Sequence, residues 1–334
     1  MPILVLNGHE RPITHVKFNP EGDLLFTCGK SAKSTVCVWF TDTGELAGTY
    51  DGHCGTVWNC DVTYNSQYLA TASGDNTARI WSVETGKCLA TIKLTAPTRA
   101  VNWTLDAKRL LVVTDSFVGT GIDPHISIYD WSRPSDTPQK LASYAITKKQ
   151  KFSGVKWGRL DKWIYTSDKC GLTIFDAKTG NVIKEVCNVH RKEIKEFNFD
   201  KEKGFIITAS ADGTAKLLNA NTLEVVKTYE AGRSVNCAVI SPTKNHVLLG
   251  GGEGTENVTT SNLDTRQFRT RFFHKIYEHE IGSIGSSATG SKGHFGPLTT
   301  LDISQDGSMF ASGSEDSNVR LYYLDQDYPD ISQD

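Results

Sequence analysis

Three histidines in this chain stand where an acid and a hydroxyl could complete a catalytic trio. His53 precedes Leu69-Ala-Thr-Ala-Ser-Gly-Asp75, His190 precedes Ile206-Ile-Thr-Ala-Ser-Ala-Asp212, and His294 precedes Phe310-Ala-Ser-Gly-Ser-Glu-Asp316. Such a set invites a hydrolase reading, in which the imidazole takes a hydroxyl proton while the carboxylate orients the ring. The alternative chemistry is zinc ligation by His9, His53 and His294. One observation weighs against both. The trios recur along the chain, whereas a catalytic site is needed once, and histidines in separate repeats stand too far apart to share one metal. Two glycine-rich segments fail for lack of context. Gly285-Ser-Ser-Ala-Thr-Gly290-Ser291-Lys292 nearly matches a phosphate-binding loop, but Ser291 occupies the lysine position and no strand-to-helix unit surrounds it. Gly250-Gly-Gly-Glu-Gly254 likewise lacks the βαβ unit that a dinucleotide site requires. No catalytic residue, cofactor or metal is expected.

The elements that carry these histidines form a repeat. Gly-His occurs at Gly8-His9, Gly52-His53 and Gly293-His294, with His190 in a similar context. A β-rich run follows each: Ile13–Asn19, Val57–Tyr64, Ile194–Phe199 and Leu298–Ser304. A second run ends in a small-residue turn, and a third closes on a large apolar residue. The closing residues Trp39, Trp81, Tyr129, Phe175 and Leu218 are spaced by 42, 48, 46 and 43 residues, the period of a propeller blade. The 104 residues from Leu218 to Tyr322 hold one further blade, with strands read at Val235–Ser241, His246–Gly250 and Phe268–Phe273. The count is seven. The opening strand Pro2–Leu6 has no partner of its own, so it is expected to zip onto the three C-terminal strands and remove two exposed edges. The expectation is an all-β, seven-bladed propeller over residues 1–326, with a tail at 327–334. Ser116–His125, Glu253–Gln267 and Ile281–Lys292 read as insertions in its loops.

Composition narrows the function. The formal net charge is −2 and no long Lys/Arg run occurs, so nucleic-acid binding is not expected as the main activity. The start lacks the basic flank and cleavage site of a secretory leader, and no apolar run is long enough to cross a bilayer. The eight cysteines include no Cys-x-x-Cys pair and read as reduced, mostly buried thiols of a cytoplasmic protein.

At the level of the repeat the chain resembles the WD40 family, whose blades carry Gly-His, a turn Asp and Trp-Asp. That resemblance implies a buried tetrad of His, Ser or Thr, Asp and Trp. By position these are His53, Thr71, Asp75 and Trp81 in blade two, and His294, Ser312, Asp316 and Tyr322 in blade seven. Blade five has His190, Thr208 and Asp212, with Leu218 replacing the aromatic. Blade one keeps His9 and Trp39, but Lys33 stands at the Asp position. The later blades are more specific. Val247-Leu-Leu-Gly-Gly-Gly252, Phe268-Arg-Thr-Arg-Phe-Phe-His274 and Gly293-His-Phe-Gly-Pro297, in that order, resemble the i subunit of eukaryotic translation initiation factor three. This resemblance runs end to end. It implies a non-catalytic scaffold that meets the b and g subunits of that complex and, indirectly, the small ribosomal subunit. The b subunit's segment is then expected near blades five and six, with Lys227, Tyr229, Glu230 and Arg233 as contacts. The competing reading within the same class is a signalling adaptor, of the kinase-receptor-associated or G-protein β-like kind. The latter needs an N-terminal coiled-coil helix, whereas this chain opens in a strand.

Overall fold

The computed structural model describes residues 3–31, 35–115, 123–134, 137–146, 152–252, 268–285 and 293–324. Its strands form seven four-stranded antiparallel sheets. Among the described residues there is no α-helix, only one 3-10 turn at Arg159–Asp161. Blade two shows why the pattern works. Its inner strand Val57–Val62 alternates buried and part-exposed positions, Tyr68–Ser73 is almost wholly buried, and the outer strand Cys88–Lys93 is mostly exposed. The second strand is covered on both faces by neighbouring blades, so it must be apolar or small throughout; the rim strand faces solvent and tolerates charge.

No blade encloses a core of its own. The buried side chains gather in seams between successive blades, as where Leu6, Val319 and Leu321 of blade seven pack with Ile13, Val16 and Trp39 of blade one. Blades one and two share Phe26, Tyr50, Val57 and Trp81 in the same way, and the other seams repeat the scheme around the ring. Each sheet therefore depends on both neighbours, which makes closure of the ring a condition for burying the last two faces.

Closure is made by the chain ends. Ile3–Leu6 pairs antiparallel with Val319–Tyr323, in the register Ile3↔Tyr322, Leu4↔Leu321, Val5↔Arg320 and Leu6↔Val319. The N-terminal strand thus becomes the outer strand of blade seven.

A second feature recurs in all seven blades. The inner strand carries a β-bulge after its first residue, so that one residue has no opposite partner. The extra residues are Thr14, Trp58, Arg99, Ser153, Lys195, Asn236 and Thr299. A bulge turns its side chain out of the sheet's normal alternation, and all seven line the mouth of the central channel.

Several strand ends lie one or two residues from the sequence expectation, and the differences that matter fall in blades three and six. The third strand of blade six is Thr270–His274 rather than Phe268–Phe273. Ile281–Ile284, read as the start of an insertion, belongs to the outer strand Glu280–Ile284, because backbone pairing with Thr270–Phe273 overrides the weak propensity of Gly282 and Ser283. His125, read as the end of another insertion, opens the strand His125–Asp130. Residues 116–122, 253–267 and 286–292, Lys33 and the tail at 327–334 lie outside the described residues.

Candidate functional site: buried polar tetrads, an inter-blade latch and an apolar edge

The tetrad of blade two is assembled across three loops and strands. Trp81 Nε1 donates to Thr71 Oγ1 at 2.9 Å, and Thr71 Oγ1 lies 2.7 Å from His53 Nε2. His53 Nδ1 lies 2.8 Å from Asp75 Oδ2. Asp75, held ionised, accepts from Nδ1, and in the neutral ring Nε2 is then left to accept the Thr71 hydroxyl proton. This arrangement requires a neutral imidazole. Burial does push the His53 pKa below its ordinary value, against the pull of Asp75. Burial alone would raise Asp75. The Thr77 hydroxyl, the His53 ring and the Cys54 amide outweigh it and hold the carboxyl at about 2.

Blade five repeats the geometry, with His190 Nε2 at 2.8 Å from Thr208 Oγ1 and Nδ1 at 3.0 Å from Asp212. Leu218, fully buried, fills the aromatic position without a donor. In blade seven His294 lies 2.7 Å from Ser312 Oγ and 3.0 Å from Asp316, while Tyr322 stacks on Phe310 at 4.5 Å. Asp212 and Asp316 are also held at about 2 by hydrogen bonds that outweigh burial. In blade one His9 and Trp39 both reach the Thr27 hydroxyl, at 2.8 and 2.9 Å. Each hydroxyl is thus held by its ring partners in a fixed, water-poor position. Thr27, Thr71, Thr208 and Ser312 are each 0 % exposed. Among the described residues no group of His, Cys, Asp or Glu could hold a metal ion, and no helix is long and apolar enough to cross a membrane. Cys28, Cys37, Cys60 and Cys237 are buried, while Cys54, Cys88 and Cys187 are exposed.

Sequence reasoning missed a second polar system. Every inner strand is joined to the next around the ring by at least one side-chain hydrogen bond. Thr14 Oγ1 donates to Val57 O, and Asp61 accepts from Trp103 N at 2.7 Å. Asn102 accepts from Trp157 N at 2.7 Å, and Lys156 donates to Asn198 Oδ1. Asn198 donates to Ala238 O and Asn236 to Leu298 O, both at 2.9 Å, and Asp302 accepts from Phe18 N at 2.8 Å, completing the circle. The signal was present as a polar residue one position before the end of six inner strands: Lys17, Asp61, Asn102, Lys156, Asn198 and Asp302. It went unused because a polar residue on a channel wall looks like a solvated one.

The proposed contact residues divide. Glu230 and Arg233 are exposed and Lys227 half-buried. Tyr229 is 0 % exposed, packed against Phe273, with its hydroxyl donating to Lys275 O at 2.8 Å. It belongs to the blade five–six seam and offers a partner no surface. Around it lies an apolar edge that was not singled out from the sequence. Val225 and Val226 on blade five are 45 % and 47 % exposed, and Ile276 and Tyr277 on blade six are 50 % and 66 % exposed. A 2.9 Å ion pair between Lys227 and Glu278 ties the two blades beside this strip.

The family model EIF3I matches residues 1–334, the whole chain. This chain belongs to the eukaryotic translation initiation factor 3 subunit I family. Curated members agree along its length. The subunit I of Aspergillus terreus is 39% identical over 99% of this chain and 96% of its own, and that of Pyricularia oryzae is 39% identical over 99% and 94%. The Bombyx mori protein is 38% identical over 100% of this chain and 99% of its own. The chain is accordingly a translation initiation factor subunit built as a WD40-type propeller.

Proposed function

We propose that this subunit is a non-catalytic cytoplasmic scaffold, one propeller over residues 1–326 with a tail at 327–334. In this reading it binds the b and g subunits of the factor during assembly of the small-ribosomal-subunit pre-initiation complex. The b subunit docks an amphipathic segment on the edge between blades five and six, with Lys227, Glu230 and Arg233 as its polar rim. Tyr229 stays beneath as support. The observation that carries this is the exposure of Val225 and Val226 on one blade and Ile276 and Tyr277 on the next, beside the Lys227–Glu278 pair that joins them, since exposed apolar side chains with a charged margin mark interaction sites. The tetrads act as struts that keep the blades carrying them in register, and the near-neutral charge suits a subunit that meets protein while its neighbours meet RNA.

The double variant Val226→Asp with Tyr277→Ala should weaken binding of the b subunit by about 100-fold, because it charges and truncates the centre of the strip. Both positions are exposed, so the melting temperature should stay near wild type. Titration of the purified b subunit by calorimetry measures this. Unchanged affinity in a folded variant would remove the edge from the assignment, and capture of signalling receptors in place of initiation-factor subunits would contradict the scaffold role.

A further inference from the structure

The mouth of the central channel, on the face of the His-bearing loops, is a cavity of about 840 Å³. Its charge is unlike that of the chain. Five cations line it against two carboxylates, Glu196 and Glu315, in a protein of net charge −2. Two of the cations, Arg99 and Lys195, are bulge residues, so the backbone irregularity itself aims them at the channel. The guanidinium carbon of Arg99 sits 4.6 Å from the ring centroid of Trp58, the bulge residue of the preceding blade. That cation–π contact helps hold in place a guanidinium whose fork suits a carboxylate. Lys195 is engaged by Glu193 at 2.6 Å, and Lys156 is engaged in the inter-blade latch. Among the described residues Lys30 and Lys192, both exposed, enter no ion pair.

We propose that this mouth binds a short acidic peptide segment, its carboxylates received by Arg99, Lys192 and Lys30. Discrete carboxylates fit better than a continuous polyanion, because Glu196 and Glu315 interrupt the cations and would repel an unbroken run of phosphates. The site is separate from the blade five–six edge and stands or falls independently of it.

The test is fluorescence polarisation with a labelled peptide of alternating Glu and Asp, against a Gln/Asn peptide of equal length and a single-stranded RNA oligonucleotide. The acidic peptide should bind with salt-sensitive affinity, and Arg99→Ala should weaken it about tenfold or more, the loss expected for a charge-assisted pair. Lys192→Ala, wholly on the surface, should weaken it about threefold and serves as the readout should Arg99→Ala unfold. Equal binding of the acidic and neutral peptides overturns the proposal. So does full affinity in both variants, and so does RNA binding that is tighter than peptide binding and lost with Arg99.

Discussion

Leu6→Asp should destabilise the protein by about 3–5 kcal/mol, while Val5→Asp, one residue earlier on the same strand, should change stability by less than about 0.5 kcal/mol. Leu6 is 2 % exposed and sits in the seam with Ile13, Trp39 and Leu321. Val5 points outward and is 45 % exposed. An aspartate at position 6 either buries an uncompensated charge or pulls the N-terminal strand from Val319–Tyr323, which strands the backbone groups of an edge. Domains are commonly stable by only about 5–15 kcal/mol, so the loss should appear as a much lower urea midpoint and poor soluble yield. Equal effects at the two positions would show that the N-terminal strand does not seal the seam.

Asp75→Ala should lower stability by about 1–3 kcal/mol, and so should His53→Ala, each leaving buried polar partners unmatched. Without Asp75, the His53 Nδ1 proton and the Cys54 and Thr77 amides lose their acceptor. The two variants in combination should cost less than their sum, because they break one bonded unit. The wild-type pH profile follows from the same geometry. His53, His190 and His294 have pKa values depressed by burial, so the unfolded chain binds protons near pH 6.5 that the native state refuses. Stability should therefore fall as pH drops below about 6.5, and fall again between about pH 4 and pH 2, as Asp75, Asp212 and Asp316 gain protons more readily unfolded than folded. Urea midpoints measured at neutral pH and near pH 5.5 check the first limb. Burial pushes Glu196 up to about 7, which opposes this limb, so the imidazole part is read as the difference between wild type and His53→Ala; an acid slope unchanged in that variant would contradict a neutral native His53.

Much of this architecture was legible because its devices repeat. A histidine, a strand hydroxyl and a turn aspartate at constant separation revealed blades two, five and seven, and Trp39 and Trp81 marked the blade period. Blades three, four and six were harder, since their third strands close on Tyr129, Phe175 and Phe273 without the polar trio. The outer strand Glu280–Ile284 was hidden by Gly282 and Ser283, whose loop-like composition is overruled only by the pairing of the whole blade. Tyr229 was misread for a related reason. An outer strand alternates between solvent and the next blade's turn, and only the three-dimensional neighbour, Lys275, shows which face is covered. The bulged inner strands left no trace in periodicity, because one skipped residue per strand resembles ordinary alternation read from the other side. Arg99 and Lys195, 96 positions apart in the sequence, come to one mouth only through those bulges.

Everything functional here presupposes a ring shut by its own ends, with rigid faces for partners to use. Native-state amide exchange read by mass spectrometry addresses that point directly, by comparing residues 3–6 with residues 319–323. The closed ring predicts slow, matched exchange in both segments, as expected for paired strands of one sheet. Exchange of residues 3–6 at the rate of an unstructured chain, with residues 319–323 still protected, would contradict it.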